Sequence, residues 1–103
     1  MTAKVGPIEA GEVKLLKFPF TSEMEPDATI SNVAREIVLL EGVDATPEAR
    51  LVGSAVVSGQ TVLQRVSAVG DLRGNRYLIR MLATDSSNLV HSLAAELEVS
   101  TEV

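Results

Sequence analysis

At 103 residues the chain has room for one domain, and its 46% hydrophobic and 22% charged fractions are those of an ordinary globular protein rather than a disordered one. It contains no cysteine and a single histidine, His91, which excludes disulfide frameworks, thiolate metal sites and thiol nucleophiles, and leaves little material for histidine chemistry. The net charge of -5 sets the chain against nucleic acid and anionic lipid, so no nucleic-acid or membrane partner is expected.

Residues 1–11 carry Gly6, Pro7 and Gly11 and few apolar side chains, and read as a flexible lead-in that adds little to the core. This stretch has one lysine and no apolar run, so it reads as neither signal peptide nor lipid anchor, and the expected location is the compartment that makes the protein. A single domain is expected over 12–103.

From Glu12 onward, short apolar or alternating runs are separated by turn-forming residues at 22–27, 41–48, 57–60, 69–75 and 84–88. The runs between them predict six strands at 13–20, 29–40, 50–56, 61–69, 76–84 and 89–99, the spacing of an all-β sandwich or barrel. In 29–40, Ile30, Val33, Ala34, Ile37 and Val38 also make a helical stripe behind a Ser31 cap, and periodicity leaves both readings open. The run 61–69 is rich in β-branched residues, and Gln64 and Arg65 break any helical stripe, which predicts a strand. In 76–84, Tyr77, Ile79, Met81 and Ala83 share one face while Leu78 and Leu82 make the other partly apolar, which predicts a central strand. The last run alternates Leu93, Ala95, Leu97 and Val99 against Ser92, Glu96 and Glu98, yet Leu89, Val90, Leu93, Ala94 and Leu97 also fit a helix capped by Asn88.

No catalytic fingerprint emerges. His91 falls on the apolar face of the last run beside a turn and reads as a satisfied, partly buried histidine, since no G-x-S-x-G motif accompanies it. Glu23, Glu25 and Asp27 alternate in a loop but lack the order of a calcium loop, so they read as a solvated turn. Gly70 and Gly74 lack the lysine and following helix of a phosphate loop and read as turn glycines. The expectation is no catalytic residue, no metal, no cofactor and no small-molecule substrate. Arg65, Arg73, Arg76 and Arg80 gather positive charge in the second half. They form a candidate interaction surface, the competing reading being a solvated strand face. Val52, Val56 and Val57 are candidates for apolar residues left exposed on the isolated chain.

Two patterns carry a resemblance. Leu72, Gly74, Tyr77 and Ile79 have the spacing found where a loop enters the penultimate strand of immunoglobulin-like and fibronectin-like sandwiches. There a tyrosine packs its ring in the core and turns its hydroxyl back onto loop backbone, so Tyr77, Gly74 and Leu72 are read as a tyrosine corner. The second pattern is spread along most of the chain. Phe18, Pro19 and Phe20 stand in the first strand, Ile30-Ser31 opens the second, Ser58-Gly59, Val62 and Val66 follow, then Gly74 with Tyr77, and the turn 84–88 leads into the last strand. The chain thereby resembles the immunoglobulin-like phage fiber-tail adaptor proteins, with Asn88 where a turn glycine is common and no tryptophan in the second strand.

The resemblance implies an all-β, immunoglobulin-like antiparallel β-sandwich of about 6–7 strands, with strands at both ambiguous segments. It also implies a non-enzymatic structural component of a tailed phage or prophage virion, acting by protein–protein assembly at the head–tail connection or tail. Its partners would be other virion or tail proteins, with self-association open, and its location the host cytoplasm during assembly and then the virion. The alternative is an immunoglobulin-like protein-binding module of cellular origin.

Overall fold

A computed structural model describes residues 2–4, 7–9, 11–69 and 72–100, and among these described residues there are seven strands. They are β1 (Thr2–Lys4), β2 (Val13–Pro19), β3 (Ile30–Glu41), β4 (Leu51–Ser58), β5 (Thr61–Ser67), β6 (Arg76–Asp85) and β7 (Val90–Glu98), with one 3-10 turn, Pro47–Arg50, between β3 and β4. One sheet has the order β2-β5-β4 and the other β1-β7-β6-β3. All pairings are antiparallel except β1 on β7, which is parallel. This is the strand order of an immunoglobulin-like sandwich, in which a three-stranded sheet packs against a four-stranded one.

The alternation in the sequence becomes burial. Tyr77, Ile79, Met81 and Ala83 of β6 are wholly buried, and they face Phe18, Phe20, Val62 and Val66 from the opposite sheet. Each of the larger side chains withdrawn from water in this way contributes about 1.5–3 kcal/mol. The central position expected for residues 76–84 follows from β6 lying between β3 and β7. Both segments that also fit a helix are strands. In β7 the alternation sends Leu93, Ala95 and Leu97 inward and leaves Val90 exposed, because β6 supplies a full ladder from Thr84↔Val90 to Arg76↔Glu98. In β3, Val33 and Ile37 face the core while Ala34 and Val38 lie on the outer side, so apolar residues on both faces of the strand mimic a helical stripe.

The lead-in departs from expectation. Ile8 is buried in the core, bridges to Val99, donates its N–H to Glu98 O at 2.9 Å and accepts from Ser100 N at 2.8 Å. Thr2–Lys4 adds a strand along Ala94–Glu96. The expectation that this stretch adds little to the core is therefore corrected: a single isoleucine among glycines was enough to plug one end of the sandwich. Gly70, read as a turn glycine, and Asp71 beside it lie outside the described residues.

One side of the sandwich, between the edge strands β3 and β4, is closed by polar groups. In β4 the register shifts between Val52 and Val56, and Gly53 takes a φ of +71°, a conformation that costs a residue with a Cβ. Its carbonyl accepts from Arg35 of β3. Arg35 also donates to Oε1 of Gln64, a fully buried residue of β5 whose Nε2 donates to Val52 O at 3.2 Å and Arg65 O at 2.8 Å. Gln64, which merely interrupts a helical stripe in the sequence, is a core residue with its polar atoms satisfied.

Candidate interaction surfaces

Tyr77 sits where the sequence places it, at the start of the penultimate strand with its ring in the core. Among the described residues, however, its hydroxyl is met by side chains rather than by upstream loop backbone. It donates to Asp44 Oδ2 at 2.7 Å and accepts from Asn75 Nδ2 at 3.1 Å. The tyrosine corner is corrected in this respect: the partner comes from the β3–β4 connection, 33 residues away. Leu72 is buried and its carbonyl accepts from Asn75 N at 3.0 Å, while Gly74 N donates to Val99 O at 3.0 Å, so both shape the turn into β6.

Asn75, Asp44 and Arg50 are the residues that sequence reasoning missed at this end. Asn75 clamps Val43, donating to its carbonyl at 2.9 Å, and packs so tightly on Gly42 that a Cβ there would lie 1.9 Å from Asn75 Oδ1. Arg50 is buried, donates to Val69 O at 3.1 Å and places its Nε 3.6 Å from Asp44 Oδ2. Burial pushes the Asp44 carboxyl up, but the hydrogen bonds from Tyr77 and the Thr46 N–H and the charge of Arg50 outweigh it and hold the group below its ordinary value. Burial, opposed by the Asn75 hydrogen bond and reinforced by Asp44, holds the Tyr77 hydroxyl above its ordinary value. The cluster is a structural lock between two loops.

His91 is partly buried and its Nε2 lies 2.8 Å from Asp85 Oδ2. Asp85 Oδ1 accepts from Ser87 N at 2.8 Å and Leu89 N at 3.0 Å, which folds the β6–β7 hairpin, with Asn88 at a φ of 65° where a glycine would be unstrained. The His91 contact first, then these two N–H groups, hold the Asp85 carboxyl below its ordinary value against the effect of burial. Glu23, Glu25 and Asp27 are exposed in the turn after β2, and among the described residues no group of histidines and acids could hold a metal ion.

The four arginines do not share a surface. Arg65 lies on the outer face of the β2-β5-β4 sheet, opposite Leu15 and Val52. Arg76 and Arg80 lie on the outer face of the other sheet, and Arg73 is exposed in the turn before β6. Arg76 is held by Glu41 at 3.0 Å and by Glu96, and these carboxylates raise its guanidinium above its ordinary value. Arg80 lies 3.7 Å from Glu36. The sequence brings these residues close along the chain, but alternate strands carry them to opposite sides of the sandwich.

The surface that stands out is the outer face of the three-stranded sheet. Register places Val13, Leu15, Val52, Val56 and Leu63 on it, with Lys17 and Arg65 among them and no acid at the outward positions of its strands. Val56 is 57% exposed, Val13 52% and Leu15 49%. Val52, Val56 and Val57, expected from the sequence to remain exposed, all do. A cleft of about 360 Å³ also opens between β2 and β7, lined by Leu15, Phe18, Pro19, Leu93 and Ala95. Apolar side chains are common on protein surfaces singly; a contiguous set on one sheet face makes that face a candidate binding surface. No helix among the described residues is long and apolar enough to cross a membrane. Compared with protein-family models, curated proteins and solved structures, the chain matches none.

Proposed function

We propose that this chain is a non-enzymatic assembly module that binds other proteins through the outer face of its three-stranded sheet. The observation that carries the reading is the uncovered row of Val13, Leu15, Val52 and Val56 on that face, where a sandwich standing alone in water would carry polar residues. Binding by a sheet face needs no titratable cluster, which agrees with a structure whose histidine and buried acids are all engaged in holding loops.

The resemblance to phage fiber-tail adaptors supplies the context: a structural component of a tailed phage or prophage virion, at the head–tail connection or tail, with other virion or tail proteins as partners. It would be made in the host cytoplasm and end in the particle. The test is peptide mass spectrometry across a density gradient of particles induced from the source strain. Co-sedimentation with assembled particles at a stoichiometric level is the expected result. Recovery only in the unassembled fraction overturns the virion reading and leaves the cellular binding module.

A further inference from the structure

The two outer faces of the sandwich are complementary. The three-stranded face is apolar and basic, with Lys17 and Arg65 beside Leu15, Val56 and Leu63. The four-stranded face is apolar and acidic. Register puts Ala34, Val38, Leu78 and Leu82 on its outer side, with Val38 52% exposed. Around them stand four acids, Glu36, Glu41, Glu96 and Glu98, against three bases, Arg76, Arg80 and Lys4, the last paired in register with Glu96. The arginines are already engaged by Glu36, Glu41 and Glu96, so the surplus on this face is negative. Each face therefore offers what the other lacks, an apolar centre and charge of opposite sign.

We propose that the three-stranded face of one copy binds the four-stranded face of a second copy, so that the chain assembles head to tail. The proposal rests on the reading of the three-stranded face as an assembly surface and commits it to one partner. The molecule measures 46 × 20 × 20 Å between its outermost Cα atoms, so a broad face offers on the order of the ~800 Å² per partner that a standard interface buries. Sheets stacked face to face pack about 10 Å apart, and side chains of the size of leucine and valine fill that gap. Because the two contacting surfaces differ, each copy keeps one free face of each kind at the ends. Such an interface closes into a ring or grows as a filament, and it cannot stop at a symmetric dimer.

The test is sedimentation velocity on the full chain and two variants, each altered only at exposed positions. One carries Leu15→Asn with Val56→Asn on the three-stranded face; the other carries Val38→Asn with Glu36→Gln on the four-stranded face. Wild type should form species larger than a dimer as concentration rises, and about tenfold more salt should weaken them. Each variant alone should be monomeric, and an equimolar mixture should form 1:1 pairs that grow no further, since each supplies the face the other has lost. Wild type that stays monomeric overturns the proposal. So does a result in which only the three-stranded-face variant loses association, because that is the signature of a symmetric contact. If circular dichroism shows the three-stranded-face variant unfolded, Arg65→Glu alone replaces it, and Val38→Asn alone replaces an unfolded four-stranded-face variant: for each a roughly tenfold weaker association is expected, and an unchanged one overturns the proposal. A monomer in solution that still co-sediments with virions would remove this inference and leave the proposed function standing.

Discussion

Tyr77 shows how one hydroxyl ties two distant loops together. Its acceptor, Asp44, also takes the Thr46 N–H at 2.9 Å and faces Arg50, so removing the hydroxyl leaves a carboxylate and the Asn75 amide each short of a partner. Tyr77→Phe should cost about 1–2 kcal/mol in urea unfolding, since the net worth of such a bond is ~1 kcal/mol and the groups left behind add to it. An unchanged midpoint would show that water replaces the hydroxyl without loss. The lowered carboxyls of Asp44 and Asp85 make a second prediction. Both titrate in the folded state below the ordinary aspartate value of 3.8, so the unfolded chain binds more protons as acid is added. Their contribution is complete above that value and is lost as pH falls through the lower folded values. The urea midpoint should therefore drop below about pH 4, and Asp85→Asn should start lower at neutral pH and fall less steeply with acid. Parallel curves for the variant and wild type would show that Asp85 carries none of the dependence.

Among the elements, β4 and the β6–β7 hairpin depend on special backbone positions that the sequence marks in different ways. The kink in β4 turns the Gly53 carbonyl toward Arg35, and Arg35 in turn satisfies the buried Gln64. Arg35→Ala removes both bonds and should cost about 1–3 kcal/mol, the penalty of leaving the buried Gln64 oxygen unpaired. Thermal unfolding checks this, and a cost within error of zero would mean that solvent reaches the gap between β3 and β4. In the hairpin, Asn88 at positive φ is tolerated because its short polar side chain suits the left-handed region. Asn88→Gly should be neutral or slightly stabilising and Asn88→Ala should cost about 1 kcal/mol, measured by chemical denaturation; equal midpoints for the two would place the strain elsewhere.

For the molecule as a whole, alternation and turn residues were enough to place six segments and to read four of them as strands, with the central place of β6 and the core residues Tyr77, Ile79, Met81 and Ala83. These follow from local chemistry: a side chain two residues along a strand faces the same way whatever the strand pairs with. His91 could be read too, because its face and the adjacent turn are both local. The rest needed the tertiary structure. The same apolar residues in 29–40 and 89–99 satisfy a helix or a strand, and only the ladders with β6 decide between them. Gln64 is polar in any window of sequence, and becomes a core residue only because Arg35 arrives from the other sheet. The partner of Tyr77 lies 33 residues away, beyond the reach of any motif spacing. Likewise the arginines, neighbours along the chain, are parted because Arg65 belongs to one sheet and Arg76 and Arg80 to the other. The sequence alone determined which residues alternate and where the chain turns, since both depend on nearest neighbours. Which polar groups meet in the interior, and which apolar rows are left on a common outer face, was decided by how the two sheets pack.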